Sequence, residues 1–247
     1  GHVRPDGDCV GSCLGVYLYL KKHFPDKQIH VYLESIPEIF QFLKGSEDIL
    51  HEIPEDKIYD LFILLDCGDA QRLGFSAPLY ENAKTSFCID HHVSNQAFAT
   101  KNYIEPEASS TCELVYHLLG SDQISEEIAE CLYVGIVHDT GVFRHSCTHP
   151  STMCVAADLM EKGIDFTKII TETFDEKTFA QNQIMGYVLV NAIQFLEGRG
   201  VASYVDLEKM AEYRVQTKQL DGIVNQLKLT KGADLAVFMY ELEKGFY

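Results

Sequence analysis

Short runs of aliphatic and β-branched residues alternate with longer amphipathic stretches through the first two thirds of the chain. Gln28 to Leu33, Leu61 to Leu65 and Thr85 to Ile89 are largely apolar at successive positions, the pattern of strands buried on both faces. Around them, Gly11 to Phe24, Pro37 to Leu43, Ser109 to Leu119, Ser125 to Val137 and Pro150 to Lys162 have helical spacing. Strand and helix in alternation predict an α/β fold: a parallel sheet flanked by helices, with its chemistry at the carboxyl ends of the strands. Past about residue 177 the rhythm changes. A long helix is predicted over Phe179 to Leu196, broken by Glu197-Gly198-Arg199-Gly200, and strands follow at Val201 to Val205 and Leu235 to Leu242. The chain therefore divides into a larger domain, 1–182, which includes the start of a connecting helix, and a smaller α/β domain, 183–247.

Charge refines this division. The 247 residues hold 20 Lys and Arg against 37 Asp and Glu, a net of −17. Residues 1–182 account for −16 of it and residues 183–247 for −1. Such acidity excludes a protein that grips long duplex nucleic acid by neutralising phosphates, but not one that binds a small phosphorylated substrate through metal ions. No apolar run approaches bilayer length and no basic segment leads into one, so a cytoplasmic protein without a membrane partner is expected. The eight cysteines form no CxxC pair and sit among apolar or small residues. They are expected to be free thiols packed as small hydrophobes, with neither disulfides nor a zinc site.

Four acidic clusters stand at predicted element ends. The first is His2-Val3-Arg4-Pro5-Asp6-Gly7-Asp8, ahead of an apolar helix. The second is Asp66-Cys67-Gly68-Asp69, after Leu61 to Leu65, and the third is Asp90-His91-His92, after Phe87-Cys88-Ile89. The fourth is Asp139, within Gly135 to Arg144. One Asp in such a place is commonly a helix or turn cap. Together, four carboxylates and two imidazoles on one sheet edge would repel and raise one another's pKa unless cations neutralised them. Two divalent ions balance four carboxylates. Hard oxygen with imidazole and no thiolate favours Mn²⁺, with Mg²⁺ or Co²⁺ as substitutes. Two metals about 3.5–4 Å apart would activate a bridging water and clamp phosphate oxygens.

His2-x-x-x-Asp6-x-Asp8, Asp66, Asp90-His91-His92 and Asp139 resemble the four ordered motifs of the DHH phosphoesterases. Asp66-x-x-Asp69-x-x-Arg72, Ala108-Ser109-Ser110-Thr111-x-Glu113, Asp139-Thr140-Gly141-x-Phe143-Arg144 and Gly222-Ile223-Val224-Asn225 extend the likeness. They point to the nanoRNase and pAp-phosphatase branch, whose second domain is of DHHA1 type. The resemblance implies that His2, Asp6 and Asp66 hold one metal, that Asp8, Asp66, His91 and Asp139 hold the other, and that Asp66 bridges. Asp90 would orient a ligand from behind. His92 would touch the scissile phosphate or protonate the leaving oxygen, and Arg144 would contact phosphate, while Arg72 would brace the Asp69 loop. The chain departs from the family at Arg4, where Asn is frequent. The strand expected before His2 and the Gly-rich, His-containing motif expected near the C-terminus fall outside the sequence, so a chain shortened at both ends is expected.

The function implied is a manganese-dependent dimetal phosphoesterase acting on short single-stranded RNA and nucleotide 3'-phosphates such as pAp, in a family that admits homodimers. A pyrophosphatase or exopolyphosphatase and a cyclic-dinucleotide phosphodiesterase share the metal chemistry. A RecJ-type exonuclease requires a more basic path for its strand, and a nucleotide sensor would be expected to lack a ligand.

Overall fold

The protein is described by a computed structural model over residues 1–54 and 57–245. Helix α1 (Gly7–His23) starts where Asp6 accepts a hydrogen bond from the Cys9 amide at 3.1 Å. It ends with Lys21, Lys22 and His23 at the negative end of its dipole. It is buried from Gly7 to Tyr17, so its first three turns are covered on all sides, the polar Asp8 and Ser12 included, instead of along one apolar stripe. Strands β1 (Val31–Tyr32) and β2 (Ile49–Leu50) pair in parallel. Strand β3 (Phe62–Leu65), helix α2 (Ala77–Glu81), β4 (Ser86–Asp90) and β5 (Lys101–Ile104) follow. The three strands form a parallel sheet in the order β3-β4-β5, with Leu65 opposite Ile89 and Asp90 opposite Ile104. Parallel register brings the ends of β3 and β4 to one edge, which is why Asp66 and Asp90-His91-His92 come together.

Helices α3 (Thr111–Leu119), α4 (Glu126–Asp139), α5 (Pro150–Glu161) and α6 (Phe166–Ile170) complete this unit. The backbones of α1 and α4 approach closely because the residues between them are small. A Cβ on Gly11 would strike the Cys131 carbonyl, and one on Gly15 would come within 2.9 Å of Leu132 Cδ2. Leu14, Leu65, Ile89, Ile128, Leu132 and Ile136 belong to its buried core. No helix among the described residues is long and apolar enough to cross a membrane.

The first unit spans Gly1–Asp175 and the second begins at Glu176. The division lies ahead of helix α7 (Phe179–Val190), whereas the sequence reading starts that helix in the first domain. Buried Ile184 and Val188 join α7 to the second core, with Val201, Val205, Ile223 and Leu227. Strands β6 (Ile193–Phe195) and β7 (Gly200–Val205) pair antiparallel. Helices α8 (Leu207–Glu212) and α9 (Ile223–Lys228) lead to β8 (Leu235–Tyr240), which pairs parallel to β7.

The elements differ from the sequence reading where burial is incomplete. The helix read over Pro37 to Leu43 is a single 3-10 turn at Glu38–Phe40, because only Phe40 and Leu43 there are buried. The strand read over Gln28 to Leu33 shortens to Val31–Tyr32. The helix read to Leu196 stops at Val190, where the Asn191 side chain bonds the Tyr187 carbonyl at 2.8 Å. The chain then reverses through Leu196, Glu197 and Gly198, all at positive φ. Strand β5 is not predicted by periodicity, since its residues are exposed or half-buried and Lys101 and Asn102 interrupt the apolar pattern.

Candidate metal centre

Asp66 follows β3 directly and adopts a left-handed backbone conformation, φ +54°, held by its amide on the Ile89 carbonyl at 3.1 Å. A non-glycine residue in that region carries strain, and such strain gathers at functional sites. The turn divides the buried Asp66 carboxylate between two neighbours. Its Oδ2 lies 3.3 Å from His2 Nε2, and its Oδ1 lies 3.8 Å from His91 Nε2.

On the first side, His2 is 3% exposed and its Nδ1 faces the Val3 carbonyl at 2.8 Å, a contact that requires a proton on Nδ1. Nε2 then faces Asp66 and Asp6, whose Oδ2 is 3.6 Å away, and this buried nitrogen has no hydrogen-bond partner. An orphaned, buried imidazole nitrogen between carboxylates is the environment of a metal ligand. Asp6 is the most exposed of the set and also caps α1.

On the second side, His91 Nε2 stands 3.0 Å from Asp139 Oδ2 and 3.9 Å from Asp8 Oδ2, while its Nδ1 contacts the Ala108 carbonyl at 3.3 Å. Asp8 is fully buried and anchored by the N-terminus of α3. Its Oδ2 accepts from the Thr111 amide at 2.7 Å and its Oδ1 from the Cys112 amide at 2.9 Å. The Thr111 hydroxyl donates to Asp66 Oδ1 at 3.2 Å. Behind this corner, Glu113 accepts from Ser109 and from Thr152 at 2.9 Å.

The electrostatics follow from crowding. Burial, then the charges of Asp66 and Asp139, push the Asp8 carboxyl well above its ordinary value. Burial likewise raises Asp139, against the opposing pull of His91. Burial would lower the two imidazoles, but the facing carboxylates lift His2 to about 10 and His91 to about 9. A field that holds protons this firmly also attracts divalent cations. Three sets of ligand atoms each gather within 4.8 Å: His2, Cys9 and Asp66; Asp66, His91 and His92; and Asp8, His91 and Asp139. The residues present fit a pair of metal ions.

Asp90 takes no direct place in the cluster. Its Oδ1 accepts from His92 Nδ1 at 2.7 Å and its Oδ2 from Asn95 Nδ2 at 2.7 Å. His92 stays partly open, its pKa raised chiefly by that bond to Asp90. Arg144 is not drawn into the carboxylates. Its Nε donates to the Gly141 carbonyl at 2.7 Å and its guanidinium lies over the Phe174 ring. Asp69 caps the turn that follows it, accepting from the Gln71 and Arg72 amides, so backbone groups brace that loop. Sequence reasoning missed Asn95, and it read Cys9, whose Sγ falls in the group with His2 and Asp66, as a packing thiol. It read Ser109 to Leu119 as helical and Ser109-Ser110-Thr111 as a family feature, but not the capping signal in Ser110 with Glu113 three residues on, where the Ser110 hydroxyl accepts from the Glu113 amide.

Residues 1–136 match the family model described as "DHH family, N-terminal domain". A Thermus thermophilus relative named bifunctional oligoribonuclease and PAP phosphatase NrnA is 27% identical, over 99% of this chain and 72% of its own length. The Bacillus subtilis protein of that name is 22% identical, over 97% of this chain and 76% of its own. The chain spans 60% of a Streptococcus mutans relative. Among solved structures, an exopolyphosphatase-related protein from Bacteroides fragilis superposes with a TM-score of 0.84 at 28% identity, covering 94% of this chain and 72% of that one.

Proposed function

This chain belongs to the DHH family, and from that premise we propose that it is a dimetal phosphoesterase hydrolysing short oligoribonucleotides and nucleotide 3'-phosphates such as pAp. The observation that carries the reading is the divided Asp66 carboxylate, one oxygen toward His2 and the other toward His91, so that two donor sets meet at one residue. Divalent ions bound there supply a water of lowered pKa and positive charge for phosphate oxygens. His2, Asp6 and Asp66 would hold one ion. Asp8, Asp66, His91 and Asp139 would hold the other, and three carboxylates with one imidazole suit manganese.

The remaining roles belong to side chains that orient and transfer protons. The α3 amides fix Asp8, and the Ala108 carbonyl fixes His91 with Nε2 inward. Asp90, itself held by Asn95, keeps the Nδ1 proton of His92 and stabilises the charged ring, so Nε2 is the atom that would protonate the leaving oxygen. Arg144, anchored through Nε, presents its terminal amino groups as the proposed phosphate contact. The names carried by the T. thermophilus and B. subtilis relatives support the substrate class.

The test is release of mononucleotide from a dinucleotide and of phosphate from pAp in the presence of Mn²⁺, alongside pyrophosphate and a cyclic dinucleotide. Turnover of the first two is expected, and its loss in Asp66→Asn and Asp139→Ala. Asn is preferred at 66 because it tolerates the left-handed backbone. Equal turnover by wild type and both variants, or a preference for pyrophosphate, would overturn the reading.

A further inference from the structure

The donor set around His2 contains one atom that the family's oxygen and imidazole chemistry does not use. Cys9 lies in the first turn of α1, is 0% exposed, and places its Sγ within 4.8 Å of a His2 ring nitrogen and an Asp66 carboxylate oxygen. Two observations independent of the thiol concern the same His2 and Asp66 side chains. His2 Nε2 is buried without a hydrogen-bond partner, and the Asp66 carboxylate turns its Oδ2 toward it. The Cys9 sulfur accepts a hydrogen bond from the His2 amide at 3.3 Å. Amide donors to sulfur are a usual support for a metal-bound thiolate. By contrast Asp6, the second oxygen donor read from the motif for this site, is exposed, and its Oδ1 is occupied by the Cys9 amide.

We infer that Cys9 is a metal ligand, completing with His2 and Asp66 a nitrogen, sulfur and oxygen set that selects a soft or borderline cation, zinc or cobalt, over manganese. This rests on the reading of His2 and Asp66 as metal ligands and adds the residue that decides which metal the first site prefers. The physical reason is ligand softness. Carboxylate and imidazole leave Mn²⁺ competitive, whereas a thiolate favours Zn²⁺ and Co²⁺, which already stand above Mn²⁺ in intrinsic affinity. As the sulfur–metal bond forms, the thiol proton passes to solvent, so one proton is released for each thiolate formed. The three-carboxylate set around His91 has no sulfur within its group and keeps its preference for a hard ion. The two sites of the centre therefore differ in metal, and Cys9 is the cause.

The experiment uses the full chain loaded with Co²⁺ and needs no substrate. The optical spectrum of the wild type is expected to show a thiolate-to-cobalt charge-transfer band, which disappears in Cys9→Ser and persists in Cys13→Ser, the neighbouring buried thiol. X-ray absorption of the zinc-loaded wild type is expected to show a sulfur neighbour at about 2.3 Å. In competition between the two metals, Cys9→Ser is expected to lose about tenfold or more in preference for zinc over manganese, since even a partner behind a ligand is worth about that much. Should the Ser variant fold poorly, Cys9→Ala and the wild-type X-ray measurement carry the decision. Cobalt bound at full stoichiometry with no charge-transfer band, or a band surviving in Cys9→Ser, overturns the role of Cys9 and leaves the dimetal reading standing. Failure to bind cobalt at all overturns both.

Discussion

Asp90 shows how a side chain outside the cluster can govern it. Burial would raise its pKa, yet the bonds from His92 and Asn95 hold it below the ordinary carboxylate range, so it stays charged and keeps His92 protonated on Nδ1. Asp90→Asn preserves shape but removes the charge that stabilises the imidazolium. We expect kcat to fall by about 10–100-fold with little change in bound metal, read by kinetics alongside metal analysis. A parallel loss of metal would place Asp90 among the ligands instead. Residue types in motif order made His2, Asp8, Asp66, His91 and Asp139 legible in the sequence. Asn95 was not legible, because its role depends on a loop returning to Asp90.

At the scale of elements, the site rests on helices that pack too closely for ordinary side chains. Gly135 lies within α4, where a Cβ would run into Cys112 Sγ and stand 2.8 Å from Asp8 Oδ1. In an open helix, Gly→Ala stabilises by about 1 kcal/mol. Here we expect Gly135→Ala to lower the melting temperature and weaken metal binding, measured by thermal unfolding and metal titration. An unchanged affinity would show that Asp8 is not held by this contact. The N-terminus of α3 adds a pH dependence. Burial would raise Glu113, but the Ser109, Thr152 and Ser151 hydrogen bonds hold it below the ordinary value of a glutamate carboxyl. A depressed folded-state pKa gives stability that is complete above the unfolded value and lost as the pH falls through the folded one. Glu113→Gln should therefore melt lower than wild type near neutral pH, and the gap should close on acidification below about 4.5. A constant gap would exclude the charge as its cause.

Across the whole molecule the acidity of −17 is concentrated in residues 1–182, and two divalent ions would offset four of those charges. Ions that bind only the folded state stabilise by mass action, about 2.7 kcal/mol at a free concentration one hundred times Kd. Chelation is expected to lower the melting temperature of the metal-loaded protein and Mn²⁺ to restore it, followed by calorimetry. A melt indifferent to both would contradict a metal centre at Asp66. The sequence by itself determined the alternation of buried strands and helices, hence the α/β class, because burial on both strand faces and helical spacing are written locally. It also determined which carboxylates and imidazoles stand at element ends. Tertiary structure decided the rest. Parallel pairing of β3 with β4 brought Asp66 beside His91, and the N-terminus of α3 captured Asp8 across a separation of 103 residues. The packing of α1 against the His2 segment placed the sulfur of Cys9, read as a packing thiol, within 4.8 Å of a His2 ring nitrogen and an Asp66 carboxylate oxygen. Local pattern fixes periodicity and capping, whereas contacts between distant segments depend on how finished elements pack, and the chemistry of this site lies in those contacts.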